Sequence, residues 1–319
     1  MRERDRSLFL EANGLAGASR MLLAGDASAR RYERVTDGDR SRILMDAPPP
    51  EDVGRFVAVA RELATRGYSP PEIYAEDLEK GFLLLEDLGD GLFSDLMASG
   101  EPEEPLYRLA VNLLIDFSRQ APPSSLPHFS DDYLRDQNRM FLDWYVPAKT
   151  GVHLSAEAER FYQEIWEELL PDIRVGPEVM LLRDFHSDNL LYLKDREGLR
   201  SLGLLDFQDA LRGPAAYDLV SLLQDARRDV HADTDDMIHY YLEKTGLDET
   251  DFLTSYAILG AHRALRIMGI FTRLAKQDGK TAYLDLMPRM RAHLARNLTH
   301  PTLAALKNWL AVSVGEGNS

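Results

Sequence analysis

Apolar residues recur at helical spacing over residues 4–16, where Leu8, Phe9, Ala12 and Leu15 share a face, and Asn13-Gly14 or Gly17 is placed to end the helix. The period then changes. Met21–Leu23, Arg31–Val35 and Ser41–Met45 read as strands separated by tight turns, the first of them Gly25-Asp26-Ala27-Ser28-Ala29. Helical spacing returns over Glu51–Gly67, with Val53, Phe56, Val57, Ala60, Leu63 and Ala64 in register, and Tyr68-Ser69-Pro70-Pro71 breaks it. Strands over Glu72–Ala75 and Gly81–Glu86 follow, and a helix begins near Leu92. Beyond that point the pattern is mostly helical: Pro105–Gln120, Tyr133–Tyr145, Ser155–Leu170 with Ser155 as N-cap, a helix opening at Pro214–Val220, then Asp251–Leu274 and Leu298–Val312. The interruption is a hairpin, in which Leu190–Leu193 and Leu202–Leu205 flank a charged loop at Lys194–Gly198. Antiparallel strands first and helices afterwards predict an α+β fold. The change of pattern divides the chain at about residue 89, into 1–89 and 90–319.

The hairpin also carries the clearest chemistry. Asp184 and Asn189 precede its first strand and Asp206 follows its second, a spacing that matches the kinase template of a catalytic Asp, an Asn four residues beyond its neighbour, and a second Asp after a hairpin. Here the template reads L-R-D-F-H-S-D-N and then D-F-Q. Mg²⁺ takes hard oxygen ligands and draws only one or two of them from the protein. Asn189 and Asp206 are the candidate metal ligands, and Asp184 is left as the base. The same template places phosphates over the turn Gly25, Asp26, Ala27 and Ser28, and adenine against the backbone of Glu86, Asp87 and Leu88. One element departs from it. The strand that should supply a phosphate-pairing Lys reads Ile43-Leu44-Met45-Asp46-Ala47-Pro48, so the charge would have to come from Arg31, Arg34 or Arg42, or else the phosphates rest on Mg²⁺ and backbone amides.

Composition narrows the partners. The 319 residues carry 37 basic and 53 acidic side chains, a net charge of −16, which argues against nucleic acid or an anionic membrane as the main partner. It also requires any polyanion site to be locally basic or metal-loaded. Zero cysteines exclude disulfides and thiolate chemistry. No signal-like N-terminus and no long apolar run is present, so the expectation is a cytoplasmic protein with a small-molecule partner, a monomer with a dimer left open. The segment YLRDQNRMFLDWY sets Asn138, Arg139 and Asp143 beside Phe141, Trp144 and Tyr145. Aromatic faces with convergent polar groups suit a sugar pocket, and the same aromatics suit a core. Arg183, Gln208, Asp209, Arg227 and Arg228 complete the candidates for substrate contact, while Asp218 would bond back to the catalytic loop.

Taken together, GDASARRYERV, LLLEDLGD, DWYVPAKTG, LLRDFHSDNLLYL, LGLLDFQDALRGPAAYDLVSLLQDARRDV and YAILGAHRALRIMGIFTRLA resemble the anomeric N-acetylmuramate/N-acetylglucosamine kinases of the aminoglycoside-phosphotransferase superfamily over nearly the full length. The resemblance implies a protein-kinase-like bilobal fold, with residues 1–89 as a small antiparallel, nucleotide-binding N-lobe and residues 90–319 as a larger, mostly helical C-lobe that is catalytic and sugar-binding. It also implies ATP and Mg²⁺ as cofactors and phosphorylation of the C1 hydroxyl of an amino sugar during cell-wall recycling. A kinase of another small alcohol or amine would share every catalytic residue, and the absent Lys leaves a nucleotide-binding pseudokinase as a third reading.

Overall fold

A computed structural model of the protein describes residues 2–23 and 30–315. The chain forms two compact units, Met1–Glu101 with Ser187–Asp209, and Pro102–His186 with Ala210–Ser319. It therefore leaves the second unit after His186 and returns to it at Ala210.

The first unit begins with α1 (Arg2–Ala12), β1 (Ser19–Leu22), β2 (Arg31–Asp37) and β3 (Arg40–Asp46), then α2 (Val53–Thr65), β4 (Ile73–Asp77), β5 (Phe82–Glu86) and α3 (Phe93–Ala98). The strands make one antiparallel sheet in the order β1-β2-β3-β5-β4. Alternation along each strand assigns the two faces. Val35, Leu44, Phe82 and Leu84 cluster with Phe9, Leu10 and Leu15 of the α1 segment. Met45, Leu83 and Leu85, one step out of phase, are buried on the other side. Gly81 is obligatory between β4 and β5, since a Cβ there would lie 2.1 Å from the Ala47 carbonyl oxygen. The returning segment pairs Leu190–Tyr192 with Leu202–Leu204, and it joins the rest of the unit through bridges Ser69–Gly203 and Leu92–Leu191. The ring of Phe207 lies 4.9 Å from that of Phe56 on α2.

The second unit contains α4 (Glu103–Ser118), α5 (Asp131–Met140), a π-helical turn (Phe141–Tyr145), α6 (Val146–Thr150), α7 (Ala156–Ile173), α8 (Ala216–Leu223), α9 (Thr234–Thr245), α10 (Glu249–Gln277), α11 (Met287–Asn297) and α12 (Ala304–Ser313). A short ribbon pairs Val179–Leu181 with Leu211–Gly213. The 29-residue α10 is the axis of the unit and packs against α5, the π-turn, α7, α8 and α11. Helix starts follow from side-chain caps: Ser130 accepts from the Tyr133 N–H, Ser155 from Ala158 and Asp248 from Asp251. The segment expected as one helix over Tyr133–Tyr145 is helical but widens into the π-turn after Met140. A sheet of five antiparallel strands in one unit and helices in the other is the α+β architecture expected from the sequence.

Candidate active site

The ribbon delivers residues 182–184 to the C-terminal end of its first strand. Arg183 there has φ 70°, a conformation rarely taken by a residue with a side chain and often kept where function requires it. Asp218, buried on α8, holds that bend, its two carboxylate oxygens accepting the N–H of Leu182 at 2.6 Å and of Arg183 at 2.9 Å. This is the rigidifying contact expected of it. Burial pushes the Asp218 pKa up to about 7 against the pull of those two N–H groups and of Arg263. Asp184 behaves oppositely. Burial opposes its ionisation, but Arg266, Arg263, Arg183 and His186 outweigh it, and its pKa lies below the ordinary carboxylate value. The arginines are themselves fixed: Arg266 donates to Gln137 at 2.5 Å, Arg263 to Ser221 at 2.6 Å, and Arg183 lies 5.5 Å over the ring of Tyr133. The Tyr133 hydroxyl is buried without a hydrogen-bond partner, and burial raises its pKa to about 12. Beside Asp184, Arg227 hydrogen-bonds the His186 Nε2 at 2.7 Å, and its own N–H donates to Asp225.

The first unit holds the other part of the set. The Asn189 carbonyl accepts the N–H of Leu205 at 2.9 Å, so the chain closes the hairpin at the residue before Asp206. Asp206 has φ 55° and accepts a 2.8 Å hydrogen bond from Gln208 Nε2. Arg30 approaches the same carboxylate, Nη1 to Oδ1 at 3.5 Å, while its Nε lies 3.4 Å from Glu51. Among the described residues no group of three or more His, Asp or Glu side chains forms a metal cage. One carboxylate and one amide oxygen on a turn fit a hard cation that takes its other ligands from phosphate and water.

The remaining candidates fall as follows. Asp87 accepts from Arg34 at 3.1 Å and from Ser41 and Gly89, and Glu86 pairs with Arg196, which fixes the end of β5 next to half-buried Leu88. Arg31 is exposed opposite Asp46, out of phase with Tyr32 and Arg34. Asp209 lies 3.5 Å from Arg55. Arg139 and Asp143 pair with each other at the surface, Trp144 is half-buried next to them, and the Tyr145 ring stacks on Phe141 while its hydroxyl accepts from Arg291. Asn138 is buried on α5. Arg228 pairs with Glu103, which also accepts the N–H groups of His231 and Ala232. Gly25, Asp26, Ala27 and Ser28 lie outside the described residues. Sequence reasoning passed over Arg30, Tyr133, Arg263 and Arg266. Parity was the available signal for Arg30, because it shares the phase of Tyr32. The other three have no local pattern, since they reach Asp184 from helices distant in sequence.

A five-stranded antiparallel sheet, a helical unit and a D-x-x-x-x-N…D arrangement define a protein-kinase-like phosphotransferase. Solved structures agree on the fold: the choline kinase LicA from Streptococcus pneumoniae superposes with a TM-score of 0.64 at 13% identity over 92% of this chain and 99% of that one. The GDP complex of an aminoglycoside 2'-phosphotransferase-IIIa mutant gives 0.65 at 16% identity over 95% and 100%. The sequence profile of the phosphotransferase enzyme family matches residues 20–253, and the chain belongs to that family. It is an ATP-dependent kinase that phosphorylates a hydroxyl group. N-acetylmuramate/N-acetylglucosamine kinases of Caulobacter vibrioides and Pseudomonas aeruginosa are similar to it: the first is 35% identical over 97% of this chain and 95% of its own length, the second 38% over 90% and 86%.

Proposed function

We propose that this chain phosphorylates the anomeric hydroxyl of N-acetylmuramate, N-acetylglucosamine or both, with ATP as donor, as a cytoplasmic monomer serving the recycling of cell-wall sugars. The substrate class is supported by relatives bearing that name at 32–38% identity over at least 90% of the chain. The observation that carries the mechanism is Asp184: an ionised carboxylate on a loop clamped by Asp218 and ringed by Arg183, Arg263 and Arg266.

In this reading Asp184 accepts a hydrogen bond from the sugar hydroxyl, orients its oxygen toward the γ-phosphate and takes the proton as the P–O bond forms. An anomeric hydroxyl is more acidic than an ordinary alcohol, so a carboxylate with a low pKa suffices as acceptor. Asn189 and Asp206 would hold Mg²⁺, which when bound neutralises charge on the phosphoryl oxygens. Gln208 keeps the Asp206 carboxylate oriented, and Glu86–Leu88 present backbone to the base. For the lactate carboxylate of a muramyl substrate, Arg139, Arg227 and Arg228 are the candidate cations, and Arg227 is the one bonded to His186, two residues beyond Asp184.

Phosphorus NMR of the product, together with ATP consumption on a substrate panel, tests the reading. The expected result is a sugar 1-phosphate from both amino sugars and no turnover of choline or kanamycin. A 6-phosphate, or turnover confined to choline or kanamycin, overturns it.

A further inference from the structure

A magnesium-bound triphosphate remains an anion, and the strand that would carry a lysine for it ends in an acid. Asp46 at that strand end is bound by Arg6 at 3.2 Å and by Arg2, both from α1. Three of the arginines on the neighbouring strands are also spoken for or turned aside. Arg34 is held by Asp87 and Asp90, Arg42 stacks 4.7 Å over the ring of Tyr74, and Arg31 is exposed opposite Asp46. Arg30 is paired as well, but one of its partners is Asp206. Its side chain is only 12% exposed, it stands between the carboxylates of Glu51 and Asp206, and it immediately precedes β2.

We propose that Arg30 is the phosphate-binding cation of this kinase, replacing the strand lysine, and that Glu51 is the carboxylate that orients it. The proposal rests on reading Asp206 as the carboxylate at the metal position. A guanidinium 3.5 Å from that carboxylate would be within reach of phosphates bound to a metal that Asp206 holds. Its planar fork can grip a phosphate through two N–H groups while Nε stays on Glu51. Without nucleotide, the same charge balances Asp206. Burial works against the cation, but Tyr32, Asp206 and Glu51 more than offset it, so Arg30 keeps its proton throughout the accessible pH range.

The test is calorimetric binding of ATP, ADP and adenosine to the full-length protein and to Arg30→Gln, with melting temperatures measured alongside. Arg30→Gln is expected to weaken ATP and ADP at least tenfold and adenosine less than threefold, because charge-assisted hydrogen bonds of about 1.5–3 kcal/mol are lost only where phosphates are bound. Arg30→Lys should recover part of the loss and Glu51→Gln should reproduce part of it. Unchanged ATP affinity, or an equal loss for all three ligands, overturns the proposal. If Arg30→Gln lowers the melting temperature, Arg30→Met, which keeps the apolar stem, decides by the same ratio. The underlying reading has its own readout: Asp206→Asn must shift the Mg²⁺ concentration needed for turnover, and an unshifted requirement would remove that reading whatever Arg30 does.

Discussion

At the scale of single residues, the proposed mechanism gives Asp184 a charge that reacts and Asp218, on α8, a charge that holds the Asp184 loop. Asp184→Asn keeps the shape but cannot accept a proton. We expect kcat to fall by about 10²–10⁴-fold with ATP affinity within twofold, measured by steady-state kinetics and nucleotide titration. Full activity in that variant would exclude Asp184 as the base. The pH dependence separates the pair. Asp184 is held below the ordinary carboxylate pKa by its arginines and stays ionised through the working range. Asp218, facing Arg263, Asp184 and the more distant Tyr241, is raised to about 7 by burial. Above that pH both of its oxygens accept a backbone N–H. Below it, a proton occupies one oxygen and the N–H of Leu182 or Arg183 is stranded, at a cost of about 1–3 kcal/mol. The expected profile is therefore a kcat that declines as pH drops through 7, with that limb absent and the plateau lower in Asp218→Asn. The proposed trio of Asp184, Asn189 and Asp206 was legible in the sequence because its spacing is local. The three arginines that tune and feed it were not: Arg263 and Arg266 act on Asp184 from α10, and Arg30 differs from the chosen Arg31 by one residue, which on a strand reverses the face.

Among the elements, α10 is the one whose register the rest of its unit obeys. At Gly269 an added Cβ would lie 2.2 Å from the Met140 carbonyl oxygen and 2.7 Å from the Phe141 nitrogen, where α5 opens into the π-turn. That carbonyl is backbone and cannot swing aside. Gly269→Ala should lower unfolding free energy by about 1–3 kcal/mol, as overpacking does, whereas Gly17→Ala, with open space around its Cβ, should stay within about 0.5 kcal/mol. Urea unfolding of both variants checks the contrast. Periodicity located the long helices well, since their apolar faces repeat over many turns. It gave no warning of the π-turn, because Phe141, Leu142 and Tyr145 continue the same apolar register while the backbone widens around a close contact with α10. Nor did it find the ribbon of Val179–Leu181 and Leu211–Gly213, whose three-residue strands are too short to show alternation and pair across the whole of residues 182–210.

For the whole molecule, the order of the chain and the order of the packing disagree. The unit that carries Arg30 is completed by Ser187–Asp209, which arrives only after the chain has built most of α4 to α7 in the other unit. The contacts that bring it in are specific. The N–H of Leu204 donates to the Ser69 carbonyl at 3.0 Å, the N–H of Tyr192 to the Gly91 carbonyl at 2.7 Å, and Phe207, fully buried, packs on Phe56. Removing the segment would expose Phe56 and strand the carbonyls of Ser69 and Gly91. A buried Phe contributes about 1.5–3 kcal/mol, and the four strand leucines Leu190, Leu191, Leu202 and Leu204 are buried as well. Against a typical domain stability of about 5–15 kcal/mol, that loss is decisive. A fragment of residues 1–101 should therefore show no cooperative melt by circular dichroism and should bind a hydrophobic dye. Fusing residues 187–209 behind residue 101 through a flexible Gly/Ser linker should restore a cooperative transition, and Phe207→Ala in the fusion should lower its midpoint. A cooperative melt in the unaided fragment would mean that the sheet and α1 are self-sufficient, and that the hairpin belongs to the site but not to the unit's stability.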